Sequence, residues 1–235
     1  MKHLYLLLDI GSLAIPLLFS FHPKIRFYKM WPSVLPGILV MALIFIPWDI
    51  YFTSHGFWGF NPDYLTGINW LGLPLEEWLF FICIPYACMF THYALNKLIA
   101  NWPLRGNTNE WIYMILVSLL IIVLWYGYEQ WYTAVAFFYA LFILGLTKNL
   151  TPHVLPSFIM SYLIILIPFF LVNGILTGSG LPEPIVWYND NENFGLRLGT
   201  IPAEDTIYNL GMLLTVVLVA ELINQKCKKA TTKSF

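Results

Sequence analysis

Residues 58–81 read WGFNPDYLTGINWLGLPLEEWLFF, and residues 186–209 read VWYNDNENFGLRLGTIPAEDTIYN. A shift of 128 positions superimposes the two stretches. Asn61 falls on Asn189, Pro74 on Pro202, Glu76 on Glu204 and Glu77 on Asp205, with an aromatic, Phe60 or Tyr188, ahead of each asparagine. An internal repeat outranks any local motif in deciding a fold. What surrounds these stretches is mostly apolar. Immediately after the second comes GMLLTVVLVAELI, residues 211–223, the end of a clean membrane-spanning pattern.

Composition places the whole chain in a bilayer. Of its 235 residues, 59% are hydrophobic and only 11% charged, against roughly 25% charged in an average soluble protein. Too few charges remain to cover a water-exposed surface, whereas a lipid-facing one needs none. A span requires about 20 mostly apolar residues. Seven such segments are expected, at 3–22, 33–52, 74–95, 110–127, 131–147, 154–177 and 203–224. The first, from His3 to Phe21, is too long for the apolar core of a signal peptide and reads as a retained helix. Pro85 interrupts the third, which a membrane helix tolerates when neighbours satisfy the freed carbonyl.

The predicted fold class is therefore all-α and integral to the membrane. It has about seven transmembrane helices, arranged as two three-helix repeats (1–100 and 130–235) joined by a linking helix within 101–129. Because one span links them, both repeats cross in the same direction, as parallel repeats related by an axis along the membrane normal. Lys24, Arg26, Lys29, Lys97, Arg105, Lys148, Lys226, Lys228, Lys229 and Lys233 fall on one side of this layout. The loops on the other side contain only Arg197, and Lys2 runs against the trend. The positive-inside rule then puts the N-terminus outside and the C-terminus in the cytoplasm, in a multi-pass protein of the cell membrane.

Function classes fall away on the same grounds. A net charge of −1 supplies no basic patch for nucleic acid. Cys83, Cys88 and Cys227 form neither a disulfide framework nor a zinc spacing, and the five histidines have no metal-ligand spacing, so no metal is expected. There is no P-loop. TGSGLPEP, residues 177–184, does not fit a dinucleotide fingerprint, and no cofactor is expected. No lysine sits mid-way along the last span, which argues against a retinal Schiff base.

The acidic pairs Glu76–Glu77 and Glu204–Asp205 remain. Each follows a proline that reads as the first helical residue. One such pair would be explained by the helix dipole, worth roughly 0.3–1 kcal/mol. Two, equivalent under the repeat and at an apolar boundary, mark a functional site. Burial and a like-charged neighbour favour a carboxyl's protonated form by more than the dipole favours its ionised form, and that is the condition of a general acid. Successive helical residues differ by about 100°. The Glu76 stripe runs on through Phe80, Cys83 and Ala87, and the Glu204 stripe through Tyr208, Gly211 and Thr215. These stripes are small or mildly polar, so Glu76 and Glu204 are expected to face the cavity. Asp49 reads equally as interfacial or functional. Asp9, deeper in its span, is expected to pair with a neighbour.

The motifs PLEEWLFF and PAEDTIYN, each behind its aromatic-Asn loop, resemble the membrane-embedded lycopene β-cyclases, and the resemblance covers essentially the whole chain. In that family the two halves occur as separate subunits in some actinobacteria, fused in other bacteria and archaea, and within a bifunctional fungal enzyme. This chain looks like the fused form. The resemblance implies an intramolecular lyase or isomerase of carotenoid biosynthesis, acting on lycopene and other linear carotenoids inside the bilayer. Proton transfer without redox chemistry would close the linear ends to the β-ionone rings of γ- and β-carotene. It implies Glu76, Glu77, Glu204 and Asp205 as the acid/base set. Asn61, Asn189, Phe80 and Tyr208 would orient that set or bind substrate, with other carotenoid enzymes or a second copy as partners. Carotenoid hydratases of the same superfamily, which trap the same cation with water, are one alternative. A carrier with the three-plus-one-plus-three layout of SWEET-type transporters is another.

Overall fold

The computed structural model describes residues 2–99 and 108–233. Arg105 and the start of the linking segment lie outside them. Seven helices are described: α1 (Leu4–Phe19), α2 (Trp31–Ser54), α3 (Leu75–Leu98), α4 (Thr108–Gly127), α5 (Trp131–Leu150), α6 (Leu155–Leu176) and α7 (Ala203–Lys233). Six are long and apolar enough to cross a membrane. Helix α1 stops three residues short of the expected 22. Its 16 residues rise about 24 Å at 1.5 Å each, less than a hydrocarbon core of about 30 Å. The stop has a local cause. Ser20 turns its hydroxyl back onto the Pro16 carbonyl at 2.7 Å and shares a second hydrogen bond with Tyr86 of α3 at 2.6 Å.

The two long loops contain strands that hydropathy does not reveal: β1 (Trp58–Phe60), β2 (Asn69–Trp70), β3 (Leu73–Pro74), β4 (Val186–Tyr188), β5 (Arg197–Leu198) and β6 (Ile201–Pro202). Backbone near lipid must find internal partners, and these short ladders supply them. Strand β2 pairs with β3, and β5 with β6, in the same register shifted by 128. At the turn between the strands, Leu71 and its counterpart Gly199 both have positive φ, 52° and 70°.

Strands β1 and β4 join the repeats to each other. They run antiparallel, with Trp58 opposite Tyr188, Gly59 opposite Trp187 and Phe60 opposite Val186. Gly59 and Trp187 are themselves repeat equivalents, so the ladder is self-complementary about its own centre, as a two-fold interface must be. The flanking bonds obey the same operation. Asn61 N–H reaches the Ile185 carbonyl at 2.8 Å, and Asn189 N–H reaches the Phe57 carbonyl at 2.8 Å. Helices follow suit: α1 packs on α3 as α5 packs on α7, while α2 lies on α7 and α6 on α3. The linking helix α4 packs on α5 and exposes Trp111, Ile115, Leu119, Ile122 and Trp125, a face suited to lipid.

The core runs along the contact between the halves, where Met41 and Phe45 of α2 and Leu213, Leu214 and Val216 of α7 are fully buried. Gly37 permits this contact. A Cβ there would stand 2.9 Å from the Val216 carbonyl oxygen and 3.2 Å from its Cγ1, and small residues are what allow membrane helices to approach this closely. Gly37→Leu should therefore cost about 1–3 kcal/mol by overpacking, seen as a lower midpoint of thermal unfolding in detergent micelles. An unchanged midpoint would contradict the α2–α7 contact.

Candidate active site

Helices α3 and α7 begin at the same end of the bundle, and each brings its acidic pair into the first turn. Pro74 precedes α3 as its N-cap, in extended conformation, rather than being its first helical residue. Both Pro74 and Pro202 end a strand of the small hairpins. All four acids are buried, but the two members of each pair have different surroundings.

Glu76 and Glu204 hold their loops. Glu76 Oε1 accepts the Thr66 N–H at 2.6 Å, and Glu204 Oε1 accepts the equivalent Phe194 N–H at 2.8 Å together with the Thr133 hydroxyl at 2.7 Å. Glu77 and Asp205 point elsewhere. Tyr5, in the first turn of α1, donates to Glu77 Oε2 at 2.6 Å. Tyr132, in the first turn of α5, donates to Asp205 Oδ1 at 2.6 Å. The other Asp205 oxygen accepts from Asn173 at 2.8 Å and from Tyr188 at 3.0 Å. Burial first, and then the neighbouring Asp205 carboxylate, push the Tyr188 hydroxyl well above its ordinary value. It therefore stays a donor.

Glu77 and Asp205 line one chamber of about 60 Å³, walled by Trp58, Phe60, Phe80, Tyr132, Phe169, Tyr188 and Tyr208. The β1–β4 ladder contributes residues to its wall. This reverses the expectation that Glu76 and Glu204 face the cavity. The small-residue stripe that suggested it serves two ends: on α7 it is helix packing, where a Cβ on Gly211 would meet the Tyr139 ring at 2.9 Å, and on α3 Ala87 borders an apolar groove beside the chamber. Phe80 and Tyr208 are in the chamber wall. Asn61 and Asn189 are not. Their side chains accept the Asp63 and Asn191 N–H groups at 3.0 and 3.2 Å, and Asn61 donates to Glu183 at 3.1 Å. They shape the loops that end the ladder and touch none of the four acids.

Asp49 is a third carboxyl in the chamber wall. Trp58 Nε1 donates to its Oδ1 at 2.5 Å, and Thr53 at 3.4 Å. Pro32 and Ser33 of α2 match Pro156 and Ser157 of α6 at a shift of 124, which pairs Asp49 with Asn173, so a constant shift of 128 does not flag it. The tyrosine donors were hidden differently. Tyr5 and Tyr132 are 127 apart, one residue out of the repeat register. Asp9 is buried with neither carboxylate oxygen hydrogen-bonded among the described residues, so its expected partner is not found.

Beyond the chamber an apolar groove of about 370 Å³ runs between α1, α3 and α6, past Leu8, Gly11, Ile84, Ala87, Pro168 and Val172. Phe80, Phe169 and Asn173 border both spaces. The two therefore adjoin across these side chains.

A family model described as lycopene cyclase matches residues 2–95 and 129–223, most of the chain and both repeats. The chain belongs to the lycopene cyclase family. A bifunctional lycopene cyclase/phytoene synthase of Aspergillus niger is 24% identical over 208 residues, covering 77% of this chain and 33% of that protein. A protein of the same description from Neurospora crassa is 32% identical over 60 residues, covering 26% of this chain and 10% of its own length. The chain thus spans about a third or less of these curated relatives. No solved structure matches. In the lycopene cyclase fold seen here, the acid pairs divide into loop anchors and chamber groups.

That division is testable by stability. Glu204→Ala strands the buried Thr133 hydroxyl and the part-buried Phe194 N–H, at about 1–3 kcal/mol, whereas Glu204→Gln keeps an acceptor in place. Thermal unfolding in micelles should rank wild type and the Gln variant together and the Ala variant well below. Equal stability of the two variants would remove the anchoring role.

Proposed function

We propose that the chain is a lycopene β-cyclase, an isomerase that closes the linear ends of lycopene without exchange of electrons. The observation that carries this reading is the position of Glu77 and Asp205. One comes from each repeat, and both line a single aromatic chamber that adjoins an apolar groove. A linear hydrocarbon offers no polar handle, so its enzyme must recognise shape and supply proton transfer in a dry space.

The roles follow from hydrogen bonding. An ionised carboxylate is acceptor-only, and Asp205 receives three donors, which suits the base. Glu77 receives one, from Tyr5 on Oε2, leaving Oε1 to hold a proton. Glu77 then protonates C2 of the terminal double bond, and the cation forms at C1. Attack by the C5–C6 double bond joins C1 to C6 and moves the cation to C5. Asp205 takes the C6 proton, which restores a double bond between C5 and C6 and leaves the mass unchanged. The faces of Trp58, Tyr132 and Tyr208 stabilise the cation in transit. Asp49, fixed by Trp58, adds a third carboxyl to the chamber wall. Glu76 and Glu204 act as positioning residues.

Expression in bacteria that accumulate lycopene tests the reading. Ring-bearing carotene of unchanged mass is expected. A product heavier by one water would indicate a hydratase, and unchanged lycopene in a membrane fraction rich in the protein would contradict both. Glu77→Gln and Asp205→Asn should each lower conversion by about 10²–10⁴-fold, the range of general acid–base catalysis. Conversion unaffected by either change would reassign the chemistry.

We further propose a multi-pass orientation with the N-terminus outside and the basic C-terminal end of α7 in the cytoplasm. A C-terminal green fluorescent protein fusion should be fluorescent and a C-terminal alkaline phosphatase fusion inactive. The opposite pair of results would invert the topology.

A further inference from the structure

The two-fold operation that relates the halves fails at the groove. It carries the groove between α1, α3 and α6 onto the space between α5, α7 and α2. There Phe80 becomes Tyr208 and Ala87 becomes Thr215, and Tyr139 of α5 and Phe45 of α2 stand beside them. Those larger residues fill the space. The Phe45 ring, fully buried, meets Tyr139 at 5.1 Å and Tyr208 at 4.9 Å edge-on. Trp48 packs on Tyr208 at 4.9 Å, and Tyr139 shares a hydrogen bond with Thr215 at 2.7 Å. On the other side the groove is open: nothing lies within 4 Å of where a Cβ on Gly11 would stand.

We infer that the chamber has a single mouth, the α1–α3–α6 groove, through which a linear polyene enters end-first while the rest of its length stays in the groove and the bilayer. This rests on the cyclase reading for the identity of the occupant, and on the wall of Phe80, Phe169 and Asn173 that groove and chamber share for its path. Asn173 marks the threshold, since it borders the groove and also donates to Asp205 at 2.8 Å. A chamber of about 60 Å³ has room for one chain end, and the matching space of the other half is filled by Phe45, Tyr139 and Tyr208. Each binding event therefore closes one ring. The substrate must leave and re-enter reversed before the second end can react, so the one-ring product is released as a free intermediate.

The mouth is tested first by binding, independently of turnover. In nanodiscs, lycopene should quench the tryptophan fluorescence of the full chain saturably. Gly11→Tyr, which sets a ring into the open groove, and Ala87→Phe, on the facing wall, should each weaken that quenching about tenfold or more, a factor that corresponds to about one decade in Kd. Tyr139→Phe, in the filled space of the other half, should stay within about twofold of wild type. Unchanged saturable quenching in both Gly11→Tyr and Ala87→Phe overturns the mouth. Turnover supplies the second test. Deuterated lycopene is admitted and then chased with a large excess of unlabelled lycopene. Labelled one-ring carotene should accumulate and stop short of the two-ring product. Labelled substrate that proceeds to two rings despite the chase overturns release between rings. Groove-dependent quenching without any ring formation would support the mouth and refute the cyclase reading instead.

Discussion

The self-complementary pairing of β1 with β4 is the constraint on which the rest of the structure depends. Loop backbone at the edge of a bilayer has few water partners, so each polar group must be satisfied within the protein. The two repeats meet this requirement by using each other. Asn61 and Asn189 close the ends of one ladder with symmetry-related hydrogen bonds, and that ladder draws the starts of α3 and α7 toward a common axis. Two acidic first turns that would otherwise lie on separate bundles become walls of one chamber. The loops are then tied down a second time, by Glu76 and Glu204 on the Thr66 and Phe194 N–H groups. One acid of each pair thus fixes the geometry in which the other works.

This division explains why two adjacent carboxyls recur in both halves. A carboxyl that accepts a backbone N–H is held in place by its own bond. A neighbour facing an aromatic, nearly waterless space has only side-chain donors for company, one for Glu77 and three for Asp205. In the proposed reaction, unequal donor sets on matched residues give one chamber an acid and a base. On that reading a two-fold scaffold carries out an asymmetric reaction. The asymmetry extends to Asp49, which has the uncharged Asn173 as its counterpart on α6, and to the groove, open at Gly11, where the matching space is filled by Phe45, Tyr139 and Tyr208.

The membrane class, the helices and the repeat were legible in the sequence because bilayer thickness and a constant shift of 128 act on whole segments. The fine placement of the site was not. Stripe geometry sent Glu76 and Glu204 toward the cavity, because small residues along Cys83, Ala87 and Gly211 mark close helix contacts as readily as cavity walls. Tyr5 and Tyr132 escaped because they sit one residue out of the repeat register, and Asn173 because it comes from a helix on the far side of the pair it serves. The strands were invisible because runs of two or three residues carry no hydropathy signal. Asn61 and Asn189, matched by the repeat, proved to shape loops: equivalence under symmetry reports structural need as well as chemical need.

The central claim is that a carboxyl of the protein, held un-ionised in this chamber, delivers its proton to carbon. The most direct measurement begins with the protein in nanodiscs equilibrated in heavy water, so that its exchangeable acids carry deuterium before lycopene is admitted. Carotene from the first turnover is then analysed by mass and position of label. The account predicts one deuterium for each ring closed, located at C2. Ring-bearing carotene formed under these conditions without deuterium would contradict it.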